Sequence, residues 1–200
     1  MQKLLKPGLL VITLLLPVLI YLFLRSFGDN RYDLPVMAEG FEPSGKTYAI
    51  GAAPDFTLTT LTGERVGGAD VADKVRVVHF VGATCADSCR RVLTELTRVR
   101  NFYRNQPDVV LLTHVPDEAE AGRFGDTYGA GRDAWYLLAG ETDTLRTLAR
   151  RYGVPYGPAG LSPLALVDRD GQIRGIYGAT LREEVDRLIL ETQILLDAEE

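Results

Sequence analysis

Residues 74–89 read Lys-Val-Arg-Val-Val-His-Phe-Val-Gly-Ala-Thr-Cys-Ala-Asp-Ser-Cys. Lys74 to Val81 is a β-branched apolar run, the pattern of a strand buried on both faces. Cys85 and Cys89 follow it, four residues apart. Arg90 to Arg104 then carries Val92, Leu93, Leu96, Val99 and Phe102 at helical spacing. The stretch therefore predicts a strand, a dithiol at its C-terminal end, and a helix that starts at the dithiol.

These are the only two cysteines in the chain. They can form a local disulfide, exchange electrons with another thiol pair, or hold a soft metal ion. A loop this short removes little chain entropy on closure, so a purely structural staple is the weakest of the three readings. Unpaired N–H groups at a helix N-terminus, and Arg90 and Arg91 beside them, favour the thiolate. The thiolate is both nucleophile and metal ligand. Four-residue spacing puts both sulfurs on one face of a helical turn.

Outward from this stretch, Pro54 to Thr60 alternates and turns at Thr62-Gly63, predicting a hairpin. Asp108–Val115 and Ala134–Ala139 read as further buried strands, with a short helix within Pro116–Tyr128. Thr142–Tyr152 reads as a helix with Gly153 as its C-cap. Leu164–Asp168 and Gln172–Tyr177 flank the turn Asp168-Arg169-Asp170-Gly171 and predict a second hairpin. Leu181–Asp197 is a final amphipathic helix. A β-α-β start, a closing hairpin and a terminal helix make an α/β domain of the thioredoxin-like class, with an N-terminal β-hairpin extension.

Gly8 to Leu24 is an unbroken apolar run without charge. At about 1.5 Å per residue it reaches roughly 25 Å, enough to span a bilayer core as one transmembrane helix. It ends in Tyr21-Leu22-Phe23-Leu24-Arg25, bulky where a signal peptidase needs small residues, so an uncleaved anchor is expected. Lys3 and Lys6 against Arg25 and Arg31, diluted by Asp29 and Asp33, place the N-terminus in the cytoplasm and the domain in the periplasm or outside. That compartment permits disulfides. The division expected is an anchor over 1–25, a Gly/Pro-rich linker over 26–49 and the domain over 50–200. The 200 residues are 46% hydrophobic and 24% charged, with a net charge of -5. That balance gives no electrostatic reason to expect nucleic acid as a partner.

Three segments resemble landmarks of the SCO/SenC family over residues 50–195. Val78 to Cys89 is similar to the family's aromatic apolar strand followed by Cys-Pro-x-x-Cys. Leu111-Leu112-Thr113-His114-Val115-Pro116-Asp117-Glu118 resembles its strand running into Thr-x-Asp-Pro. Leu166-Val167-Asp168-Arg169-Asp170-Gly171 with Tyr177-Gly178 resembles its Asp-Pro-Asp-Gly turn and Tyr-Gly strand end. The resemblance implies a membrane-tethered thioredoxin-fold protein. Such a protein delivers copper to, or reduces the thiols of, the copper site of cytochrome c oxidase. It also implies that Cys85 and Cys89 hold the metal together with a loop histidine.

The chain departs from the family at that histidine. Its position falls at Gly160 or Leu161, and residues 156–163 contain none. Ala86 replaces the family proline and Val115 its acidic residue. Only His79 and His114 exist. His79 lies about 20 Å from Cys85 along an extended strand and reads as a core residue. His114 ends the second central strand, on the edge that faces the dithiol, and is the one candidate for an additional ligand. Ser162-Pro163 before a strand has the form of the cis-proline turn beside a redox dithiol. Two functions stay open. One is a copper metallochaperone using Cys85 and Cys89. The other is a thiol–disulfide oxidoreductase in which Cys85 attacks an exported or membrane partner, such as a cytochrome c oxidase subunit, and Cys89 resolves.

Overall fold

The structure is a computed structural model and describes residues 13–23, 34–41, 45–82, 87–156 and 163–197. The chain divides into two units, Met1–Asp33 and Leu34–Glu200. In the first, residues 13–23 are helical, and Leu14, Leu15, Leu16, Val18, Leu19, Ile20, Leu22 and Phe23 are all exposed. Among the described residues no helix is long and apolar enough to cross a membrane. The rest of the predicted span, Gly8–Ile12 and Leu24, and the flanking Lys3, Lys6, Arg25 and Arg31 lie outside the described residues.

The second unit is built on a seven-stranded sheet. β1 (Glu39–Phe41) and β2 (Thr47–Ala49) form a separate antiparallel pair. β3 (Thr57–Thr60) and β4 (Arg65–Gly67) form the predicted hairpin, and a 3-10 turn follows at Gly68–Val71. β5 (Val75–Phe80), β6 (Val109–Val115) and β7 (Trp135–Ala139) are the three parallel central strands. β8 (Leu164–Val167) and β9 (Ile173–Tyr177) close the sheet as the second predicted hairpin. The spatial order is β4-β3-β7-β6-β5-β8-β9. The helices are α1 (Asp87–Phe102), α2 (Glu118–Tyr128), α3 (Thr142–Arg151) and α4 (Arg182–Asp197).

Every residue of β5 and β6 is buried, as expected for strands covered on both faces. The pleat sends alternate residues to two cores. Val75, Val77, Val109 and Leu111 pack with Val92, Leu93 and Leu96 of α1, Phe124 of α2 and Val185 and Leu188 of α4. Val78, Phe80, Val110 and Leu112 pack with Leu145, Leu148 and Ala149 of α3. The result is three layers, with α1, α2 and α4 on one face of the sheet and α3 on the other.

Two expectations change. The first hairpin is not an appendage, because β3 pairs with β7 and so joins the main sheet. The expected linker also does not run to residue 49. Tyr48 Oη donates to the Arg150 carbonyl at 2.7 Å, and the Arg150 guanidinium lies over its ring. Met37 N donates to Ile173 O at 2.7 Å, and Arg174 donates to the Leu34 carbonyl at 2.5 Å. A backbone hydrogen bond, one tyrosine and one arginine thus tie residues 34–41 and 45–49 to the domain. A Gly/Pro-rich composition hid them, because strands this short carry no readable period. Asp168 holds the β8–β9 turn: its Oδ1 accepts from Gln172 N at 2.7 Å and its Oδ2 from Arg174 Nε at 2.5 Å. Gly171 in this turn has φ +80, which a side chain would strain.

Candidate functional site

β5 is extended by a hydrogen bond from Val81 N to His114 O at 2.9 Å, and the chain then passes into α1. Cys89 lies in the first turn of α1, 4% exposed and packed in the same core as Val81 and Val92. It is disulfide-bonded. The sequence supplies one other cysteine, Cys85, which lies outside the described residues. Arg90 and Arg91 follow Cys89 on the exposed side of the helix. The predicted placement of a cysteine at a strand-to-helix junction is thus what the fold builds. Such a position favours the thiolate of a reduced pair through the helix dipole.

His114 does not share that setting. It is fully buried, its ring stacked on Phe80 at 4.3 Å between centroids and set edge-on to Phe56 at 5.7 Å. Both phenylalanines belong to the α3-side core, whereas Cys89 belongs to the α1-side core. Along β6 the pleat gives the same answer: Val115 faces α1 and His114 faces away. Its Nδ1 lies 3.1 Å from the His79 carbonyl. A carbonyl only accepts, so Nδ1 carries the proton. Burial holds the imidazole well below its ordinary value, at about 4, and the bond to His79 only partly offsets this. β6 ends beside Val81, where β5 leads toward α1, but the His114 side chain is committed to the face away from Cys89.

His79 is buried as expected. Burial, with a smaller contribution from His114, holds its imidazole at about 3. Thr113, in the second landmark, accepts a hydrogen bond from Trp135 Nε1 at 3.0 Å. Asp117 caps α2 by accepting from Ala119 N at 2.7 Å. Both serve the fold. Gly160 and Leu161 lie outside the described residues, as does Ser162, so the Ser162–Pro163 bond is not described. Among the described residues, no group of three or more His, Cys, Asp or Glu side chains gathers as a metal centre. The thiol donors that the sequence offers a soft ion are Cys85 and Cys89, and a disulfide between them withdraws both.

Sequence reasoning missed the buried Arg76. Its Nη2 donates to the Asp168 carbonyl at 2.9 Å, while the Asp168 carboxylate is engaged by Arg174. An arginine in a β-branched run looks like an edge or surface position. The signal that would have corrected this is the unbroken apolar character of its neighbours on both sides.

No family model and no curated protein match the chain. Solved structures do. One is that of BsSco, a member of the Sco family of cytochrome c oxidase assembly proteins, described for its disulfide switch. It is 17% identical with a TM-score of 0.63, covering 71% of this chain and 91% of that one. Another is ScoI of Arabidopsis thaliana with copper bound, at 18% identity and a TM-score of 0.57, covering 72% and 99%. A third is the thioredoxin domain of a thiol-disulfide oxidoreductase from Bacteroides vulgatus, at 20% identity and a TM-score of 0.56, covering 70% and 94%. At these identities the likeness speaks for the fold, and it joins the strand-to-helix cysteine to the architecture described above: the chain has a SCO/SenC-like thioredoxin fold.

Proposed function

We propose that this protein is a membrane-anchored thiol–disulfide exchange protein of the SCO/SenC type. Cys85 attacks and Cys89 resolves, and the partner is an exported or membrane protein such as a copper-site subunit of cytochrome c oxidase. The observation that carries the reading is the disulfide-bonded Cys89 in the first turn of α1, at the C-terminal end of β5. In the reducing direction, the Cys85 thiolate attacks a partner disulfide and one partner sulfur leaves as thiolate. Cys89 then attacks Cys85 Sγ, closes the Cys85–Cys89 bond and releases the second partner thiol. The exposed apolar helix over 13–23 supports the anchor, with residues 8–24 in the bilayer, the N-terminus in the cytoplasm and the domain exported.

Copper delivery is the second reading, favoured by the copper-bound ScoI among similar folds. Here copper would be cargo on the Cys85 and Cys89 thiolates of the reduced protein, without His114. Titrating Cu(I) into the reduced full-length protein against a competing chelator, beside a disulfide-exchange assay on a peptide carrying two cysteines, separates the two. Exchange with Cu(I) affinity no better than a short dithiol peptide supports the first reading. Tight Cu(I) binding without exchange replaces it with the second.

A further inference from the structure

His79 is fully buried, and among the described residues neither of its ring nitrogens has a hydrogen-bond partner. A neutral imidazole carries one donor and one acceptor, so two polar atoms stand unsatisfied in the core, a cost to the folded state. The strand position shows what could satisfy them. Val75, Val77 and Val81 all belong to the α1-side core, and the pleat puts His79 in their row. Its cross-strand partners are Thr113 and Leu164. Leu164 belongs to that core, and Thr113 bonds to Trp135 within it. α1 connects the parallel strands β5 and β6, so it runs back over this face. Cys89 is its first residue in the core and Val81 the last of the β5 row, with His79 next below. The long path along the strand from His79 to Cys85 is thus no measure of the path to Cys89, which the helix folds back.

We infer that His79 is the internal hydrogen-bond partner of Cys89 in the reduced protein, the Cys89 S–H donating to an imidazole nitrogen. In the disulfide the sulfur has no proton to donate, and the imidazole is left without a partner. This rests on the thiol-exchange reading above. On reduction by a thiol such as glutathione, two glutathione thiols become one glutathione disulfide. Their two electrons break the Cys85–Cys89 bond, and their two protons end on Cys85 Sγ and Cys89 Sγ. His79 takes no proton, consistent with an imidazole held at about 3. It stabilises the dithiol relative to the disulfide, so it tunes the redox balance as a positioning residue.

The test is the redox equilibrium of the full-length protein against glutathione, read by thiol alkylation, for wild type, His79→Leu and His79→Gln. His79→Leu should lower the equilibrium constant for reduction about tenfold, equivalent to about 30 mV for this two-electron couple. His79→Gln keeps an acceptor and should shift it less. Urea unfolding adds a second readout: His79→Leu should stabilise the disulfide form more than the dithiol form. Equal stability changes in the two redox states, as when a buried water satisfies the imidazole in both, would overturn the inference. So would equilibrium constants within about twofold of wild type for both variants. If His79→Leu does not fold, His79→Gln carries the comparison. Wild-type exchange with the dithiol peptide is scored separately, so an unshifted variant sinks the role of His79 alone, and absent exchange sinks the functional reading alone.

Discussion

His114 stacks on Phe80 with 12° between the ring planes, on the face of the sheet away from Cys89. That placement removes it from any ligand set that includes Cys89. His114→Ala should leave the Cu(I) affinity of the reduced protein within about twofold of wild type in a chelator competition. The same substitution empties a site between Phe56 and Phe80 and should cost about 2 kcal/mol in urea unfolding. A large loss of affinity without a loss of stability would show that the ring reaches the sulfurs.

Two neutral buried histidines give the domain an acid sensitivity that surface histidines would not. Both are held below the ordinary value of 6.5, at about 3 for His79 and about 4 for His114. As pH falls through 6.5 the unfolded chain binds the protons first, so stability declines toward the folded values. Above about pH 7 these groups make no pH-dependent contribution. From pH 7 to pH 5 each histidine should remove about 2 kcal/mol, or about 4 kcal/mol together. Carboxylates titrate mostly below that window. Chemical denaturation at pH 7, 6 and 5 measures the slope, and His79→Leu should show about half of it. A flat profile would mean that the imidazoles are reached by water.

The strand and helix order was legible because the central strands are continuous β-branched runs, and α1 and α3 carry one apolar stripe each. Gly153 ends α3 with φ +75, as its place after the periodic run implied. The dithiol was legible because nothing else in the chain competes for its sulfurs. The facing of the histidines was legible in principle and was lost to a linear measure. Counting along the strand places His79 far from Cys85, but the pleat sets His79 and His114 on opposite faces, and His79 shares its face with the core that holds Cys89. The β1–β2 pair could not be read, because three-residue strands held by backbone hydrogen bonds and a tyrosine leave no pattern.

That pair makes its own prediction. The backbone of Gly40 lies against Gly153, and a Cβ on Gly40 would stand 2.6 Å from the Gly153 Cα. Neither partner can yield, since both are backbone and Gly153 already has φ +75. Gly40→Ala should therefore push the hairpin off the C-terminus of α3 and break the bond from Tyr48 to Arg150. The expected cost is about 1–3 kcal/mol. Amide exchange at Ile50, whose N–H donates to Ala38 O at 2.9 Å, should accelerate at least tenfold while β5 and β6 amides hold. Uniform acceleration across the sheet would show that the hairpin is part of the global folding unit.

The burial of Cys89 separates the two thiols by access. At 4% exposure Cys89 is packed in the α1-side core with Val81 and Val92, both fully buried. In a Cys85→Ser variant the remaining thiol should react with iodoacetamide at least tenfold more slowly than in the urea-unfolded chain, because attack requires local opening. In a Cys89→Ser variant, Cys85 should react faster than that and should accumulate a stable mixed disulfide with the dithiol peptide, since no resolving sulfur remains. Mass spectrometry of the two variants after equal exposure reads both outcomes. The reverse order, with Cys89 reacting first and trapping the peptide, would exchange the roles of the two cysteines.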